Sequence, residues 1–425
     1  MTAPPGVDGA SAPLSALSAL QRRAGVAPNR IPRRAEASGE LPLSLNQEQV
    51  WFLDQMAPGT YNVPMGIRLR GPLDRSALAD ALNVVTARQE ILRTSFANSG
   101  GRPIQVVHPA RPVPLTFLDL SASVEAQQVQ LARVATRQAN QRFDLERAPL
   151  LRLLLVGLGA DHHVLLVTFH HIVFDGWSVE VFLREVTDAY GERLTGGSAG
   201  GCELPVQYAD YALWQRGQLR GESLERLTAY WRQNLAGAPV LELPTDRPRP
   251  PVQAFDGAAE YLELTGDLTD ALRPLARREG VTMFMLVLAA FVAVLQRYSS
   301  QDDIVVGTPS ANRSRTELEP LIGYFVAMLP VRADLSGDPS FLQLLQRVRE
   351  ATLGAYAHQD LPLAKLVEVL RPERDPSRPP VFQVGFTLTG PAGPPLQAGE
   401  LALEMLEDLV GTSNAKLDLL SLIHI

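Results

Sequence analysis

Two apolar runs, Leu150 to Gly157 and His163 to Phe169, are dense in Leu and Val over strand-like lengths. They flank a Gly159–Asp161 turn and so predict a β-hairpin. Upstream, Ser44 precedes Gln47 by three residues ahead of an apolar run, the pattern of a capping box opening a helix through Met56. Ile67, Leu69 and Leu73 predict a strand and turn, and Leu78, Ala81, Leu82 and Val85 fall on one helical face. In the second half, Asp267–Glu279, Thr282–Tyr298 and Phe341–Ala357 predict helices, and Asp303–Thr308 and Val381–Leu388 predict strands. Alternating apolar positions over Ala258–Leu264 suggest one more strand. Strands and helices occupy both halves, so the class is α/β or α+β.

Breaks in this pattern suggest an organisation. Residues 1–40 lack a sustained apolar pattern and read as a linker, with Leu14, Leu17 and Leu20 at the spacing of one short amphipathic helix. The Pro-rich stretch Pro239–Pro251 marks an internal boundary. The expected division is a segment 1–40, a first lobe 41–235, a linker 236–256 and a second lobe 257–425. With 425 residues, 46% hydrophobic and 20% charged, the chain is long enough for two such lobes with apolar cores. A net charge of −7 makes it a poor general binder of nucleic acid or anionic membrane. Cys202 is the only cysteine, which excludes an internal disulfide and a cysteine-rich metal site and fits a cytoplasmic setting. The most apolar window, Val281–Leu295, is too short to span a bilayer and runs into Gln296 and Arg297.

The strand ending at Phe169 feeds His170 and His171, then a turn with Asp175 and Gly176, then a helix from Trp177 or Ser178. Side chains at such a strand-to-helix passage face the crevice where α/β proteins bind ligands. Histidine suits proton transfer there, since its unperturbed pKa lies near 6.5. Asp175 is a weak base by comparison and is better suited to fixing the loop, either as a helix N-cap or in a salt bridge. Two other readings remain open on these residues alone. The histidines can be packing residues, and the four-residue spacing of His171 and Asp175 suits metal ligands on a helix. The strand signal and Gly176 oppose such a helix and no third ligand is near, so no metal is expected.

His170-His171-Ile172-Val173-Phe174-Asp175-Gly176-Trp177-Ser178 resembles the central motif of condensation domains of nonribosomal peptide synthetases. Other segments resemble the family's remaining motifs in order. These are Leu43–Leu53 with Tyr61–Pro64, Arg88–Phe96, Tyr208–Trp214, Ile322–Pro330, His358–Leu363 and Arg374–Pro379. Gln89 stands where the family usually has His, and Ala327 where it usually has Asn. The resemblance covers about residues 41–420.

That resemblance implies two lobes, each like chloramphenicol acetyltransferase, set as a V. It further implies an amide-forming acyltransferase joining a donor acyl or peptidyl thioester to the amine of an acceptor aminoacyl thioester. No cofactor would be bound directly. The substrates would arrive on phosphopantetheine arms of donor and acceptor peptidyl carrier domains, beside an adenylation domain of the same assembly line. His171 would be catalytic. His170, Asp175, Gly176, Arg313 and Gln383 would support it, Arg313 as the partner of Asp175. Trp177, Ser178, Gly323 and Tyr324 would line the substrate tunnel. Trp51, Tyr208 and Trp214 would pack, and His358 would be structural. Gly176-Trp177-Ser178 resembles the subtype taking an L-configured donor, whereas Tyr324 and Met328 resemble starter or hybrid variants. Asn414–Leu419 resembles a segment that continues into further strand and helices, so the second lobe is expected to be incomplete, with a sheet edge uncovered. A stand-alone acyltransferase and a catalytically silent platform that recruits a partner are the alternative functions.

Overall fold

Ser44 accepts a hydrogen bond from the Gln47 backbone N–H, while the Gln47 side chain accepts one from the Ser44 N–H. This reciprocal cap starts the first helix where the spacing predicts it. The computed structural model describes residues 30–35, 39–122, 127–197, 203–253, 257–258, 260, 266–373, 375–389, 394–406 and 417–424. The first half runs β1 (Leu41–Pro42), α1 (Leu45–Met56), β2 (Asn62–Arg70), α2 (Arg75–Arg88), β3 (Thr94–Ser99), β4 (Arg102–Val107) and β5 (Leu115–Asp119). It continues through α3 (Gln127–Asn140), β6 (Leu151–Gly159), β7 (His162–His170), α4 (Gly176–Leu194), α5 (Tyr208–Gln218) and α6 (Gly221–Asn234). The second half runs α7 (Gly266–Arg278), α8 (Met283–Ser299), β8 (Asp303–Ser310), β9 (Ala327–Asp334), α9 (Phe341–Ala357) and α10 (Leu363–Leu370). It closes with β10 (Val384–Thr389), β11 (Leu396–Ala398), β12 (Leu401–Leu406) and β13 (Leu419–His424).

The strands form a six-stranded sheet in the order β11-β12-β2-β7-β6-β5, a four-stranded sheet β13-β10-β8-β9 and a small sheet β1-β4-β3. β6 and β7 are the antiparallel hairpin read from the apolar runs. β7 sits inside the large sheet and is apolar on both faces. Leu165, Val167 and Phe169 join the main core with Phe174 and Phe182, while Val164 and Leu166 pack with Leu131 and Ala135 of α3. Cover on both faces is why this strand reads as an unbroken hydrophobic run instead of alternating.

The cores do not divide at residue 236. Leu227 and Trp231 of α6 belong to the second core with Val292, Val306, Leu329 and Phe386. Conversely Leu318, Leu321, Ile322 and Phe325 belong to the first core, and β12 pairs antiparallel with β2. The expected boundary therefore falls one helix late, and two segments of the second half cross back. A Pro-rich stretch marks where the chain is irregular, not where buried surface changes owner. Part of the expected N-terminal linker is also docked: Ile31 is buried, and Arg34 reaches Glu90 and Asp210.

The expected helix around Leu14 and Leu17, and most of the expected strand over Ala258–Leu264, lie outside the described residues. β13 runs parallel along β10, with Leu419, Leu420 and Leu422 exposed. Among the described residues no single helix is long and apolar enough to cross a membrane.

Candidate active site

β7 ends at His170, one 3-10 turn covers His171–Val173, and α4 begins after Asp175. The two histidines are held in opposite ways. His170 is fully buried, its Nδ1 accepts from the Ile172 N–H at 3.2 Å, and its Nε2 lies 3.2 Å from Asp54 Oδ1. That pattern leaves the proton on Nε2, donated to the carboxylate. His171 is half-buried, and its Nδ1 lies 2.6 Å from the Phe174 carbonyl, which can only accept. Its Nδ1 therefore carries a proton, and the lone pair of the neutral ring is at Nε2. The His171 N–H donates to Tyr61 O at 2.7 Å, and its ring meets Tyr324 edge to face at 4.9 Å. Phe169 and Phe174, stacked at 3.7 Å, hold the ends of this loop together.

Asp175 is the hub of the passage. Oδ1 accepts from the Ser178 N–H at 2.9 Å, the Ser178 hydroxyl at 2.7 Å and Arg313 at 3.1 Å, and Oδ2 accepts from the Phe325 N–H at 3.0 Å. Arg313 also donates to the carbonyls of Leu318 at 2.5 Å and Leu321 at 2.7 Å, and it lies over the Phe325 ring. Both charged side chains are buried, Asp175 at 2% and Arg313 at 1% exposure. Burial lowers the Arg313 pKa, and the charge of Asp175 opposes that shift. A buried pair of this kind survives only when its remaining hydrogen-bonding capacity is also satisfied, as most of it is here.

Further residues tie α1 and α2 to the same loop. Gln47 donates to Ile172 O at 2.9 Å, and Asn46 donates to Val326 O at 2.8 Å. Ser44 bonds the Tyr208 hydroxyl at 2.9 Å, and Tyr208 in turn donates to Tyr324 O at 2.5 Å. Gln89 donates to Glu185 and to Pro320 O, and accepts from the Ile322 N–H, each at 2.9 Å. In the sequence Gln89 stands out only as a departure from a pattern. An amide supplies two donors and an acceptor, whereas an imidazole has two nitrogens and cannot make all three bonds.

Gly323 is glycine because a Cβ there would sit 2.2 Å from the Tyr208 ring. Ser178 and Gly323 are both buried, so they lock the loop and do not line an open channel. Trp177 is half-buried and donates to Glu319 O at 3.0 Å. At Gly176, which is exposed, a Cβ would meet nothing within 4 Å. Gln383 is buried with its amide engaged by the Leu241 N–H and Pro379 O, which ties the Pro-rich segment to β10. The structure thus brings His171, Asp175, Trp177, Ser178, Arg313, Gly323 and Tyr324 into one contact network, with Gly176 beside it at the exposed start of α4, whereas the amide of Gln383 serves this other junction. His358 stacks on Tyr230 at 3.5 Å with Nδ1 on Gly354 O. Among the described residues, no group of three or more His, Cys, Asp or Glu is placed to hold a metal.

Comparison with known proteins identifies the family. The family model of the condensation domain matches residues 37–398. The chain is 47% identical over 352 residues, 82% of its length, to one of the subunits of the linear gramicidin synthase of Brevibacillus parabrevis. It is 43% identical over 389 residues, 88% of its length, to phosphinothricin tripeptide synthetase PhsC of Streptomyces viridochromogenes. It spans only 4% and 36% of those two proteins' own lengths. Among solved structures, the X-domain from teicoplanin biosynthesis superposes with a TM-score of 0.79 at 33% identity, covering 91% of this chain and 86% of that one. The first condensation domain of the calcium-dependent antibiotic synthetase, at 24% identity and a TM-score of 0.74, covers 89% of this chain and 86% of its own and shows the same fold.

Proposed function

Since this chain belongs to the condensation-domain family, acyltransferases that form amide bonds in nonribosomal peptide synthesis, we propose that it joins a donor acyl or peptidyl thioester to the amine of an acceptor aminoacyl thioester. The observation that carries this reading is the setting of His171. Its Nδ1–H is fixed on Phe174 O, so Nε2 is the nitrogen that can accept a proton. The acceptor amine must lose a proton as its C–N bond forms, and an imidazole with Nε2 in reach takes that proton or holds the amine in line. His170 is tied into the fold, its Nδ1 accepting from the Ile172 N–H and its Nε2 donating to Asp54. Asp175 and Arg313 act through the loop, fixing where His171 and Tyr324 stand.

Aminolysis of a thioester is redox-neutral. Tethering both substrates on phosphopantetheine arms of carrier domains makes the encounter effectively intramolecular, which supplies much of the rate. Donor and acceptor carrier domains and an adenylation domain are the partners this chemistry calls for. The Gly176-Trp177-Ser178 run supports an L-configured donor. The test is mass-spectrometric detection of the condensed product on the acceptor carrier after mixing loaded carriers with the protein. Amide from the wild type and none from His171→Ala is the expected result; equal product from both contradicts the assignment.

A further inference from the structure

Tyrosines around the first core commit their hydroxyls to the protein. Tyr190 accepts from the Asp74 N–H at 3.0 Å and Tyr211 from Gln215 at 3.0 Å, while Tyr208 bonds Ser44 and Tyr324 O. Tyr324 differs. Its ring is half-buried and lies edge to face against His171, yet its hydroxyl makes no hydrogen bond among the described residues. A covered phenol normally finds a partner for its O–H, so an unengaged one beside a reactive ring is available to a ligand. Its position is also tightly fixed. The Gly323 N–H bonds Ser178, the Tyr324 carbonyl accepts from Tyr208, and the Phe325 N–H bonds Asp175. Burial, with smaller contributions from Tyr61 and Asp175, raises the phenol's pKa and keeps it a donor.

We infer that Tyr324 is a second catalytic residue, whose hydroxyl donates a hydrogen bond to the carbonyl oxygen of the donor thioester as the acceptor amine attacks. This rests on the amide-forming reading. In the step, the amine lone pair forms the C–N bond and the carbonyl π pair moves onto oxygen. The Tyr324 O–H stabilises that oxyanion without giving up its proton. His171 Nε2 takes one proton from the nitrogen; the carbonyl re-forms, the C–S bond breaks, and the departing thiolate receives that proton from His171. The two roles follow from the proton inventory. The nitrogen needs an acceptor, which the imidazole lone pair provides, and the growing oxyanion needs a donor, which the phenol provides. With ring centroids 4.9 Å apart, one reacting centre can lie within reach of both groups.

The experiment measures kcat and KM for carrier-to-carrier condensation with wild type, Tyr324→Phe, Tyr324→Leu and His171→Ala, alongside thermal unfolding of each. Phenylalanine keeps the ring and its contact with His171 and removes only the hydroxyl. Tyr324→Phe is expected to lower kcat on the order of 10²-fold, with KM within about twofold and unchanged unfolding, as for loss of one oxyanion donor. Wild-type kcat in Tyr324→Phe overturns this inference alone, and a loss seen only in Tyr324→Leu overturns it in favour of ring packing. No amide from the wild type overturns both this inference and the functional reading beneath it.

Discussion

At the residue scale, what distinguishes the site is how few of its groups are left to act. Most polar atoms around His171 are occupied within the protein, so most substitutions there should report on stability. Asp175→Ala leaves Arg313 buried without its counter-charge, and truncating one partner of such a pair is expected to cost about 3–5 kcal/mol. Chemical denaturation of the variant against wild type measures that directly. Gly176→Ala should behave in the opposite way. A methyl there touches nothing in the protein, and Ala is the better helix former by up to about 1 kcal/mol, so unfolding should be unchanged or shifted upward. If the open space in front of Gly176 carries substrate, the same variant raises KM. A destabilised Gly176→Ala protein would show that the glycine serves the fold.

At the element scale, the loop from Leu318 to Val326 is held to α1, α2 and α4 through side chains distant in sequence. Gln89 joins the end of α2 to Glu185 on α4, which Arg88 also pairs with, and to Pro320 and Ile322. Gln89→Ala leaves the Ile322 N–H without its partner, which is expected to cost about 1–3 kcal/mol and to lower condensation activity through the displaced loop. Gln89→His should recover part of the stability, because it can replace some of the three bonds; full recovery would argue against a three-way amide contact. Gly323→Ala drives a methyl into the Tyr208 ring, and overpacking of this kind is expected to cost about 1–3 kcal/mol in the same assay.

This is also the scale at which legibility in the sequence changes. The capping box at Ser44, the β6–β7 hairpin and α9 follow from spacing within a few residues, and each forms where the pattern predicts it. The bonds made by Gln89 and Asn46 bridge 233 and 280 positions to Ile322 and Val326, and no local periodicity encodes which backbone group a buried amide will meet.

For the whole molecule, the consequence is that the two larger of the three sheets do not form independent halves. β12 returns to pair with β2 in the large sheet, α6 packs into the second core, and Arg313 reaches from beyond β8 to the head of α4. Chain length and a Pro-rich run point to two lobes but not to which elements each core takes, because burial is settled by packing partners far along the chain. Several of the ordered motifs converge on one loop, through Gln47, Gln89, Asp175, Tyr208 and Phe325, whereas His358 packs on α6. The locking roles of Ser178 and Gly323 are not legible, since a sequence shows that a residue is near the site without showing which way it faces. On the proposed function, the shared framework presents His171 to the substrates. That is tested by the single-turnover rate of amide formation between loaded carriers for His171→Ala, with its thermal unfolding measured in parallel. A loss of roughly 10²- to 10⁴-fold with an unchanged unfolding transition is expected; amide formed at the wild-type rate by the folded variant would contradict it.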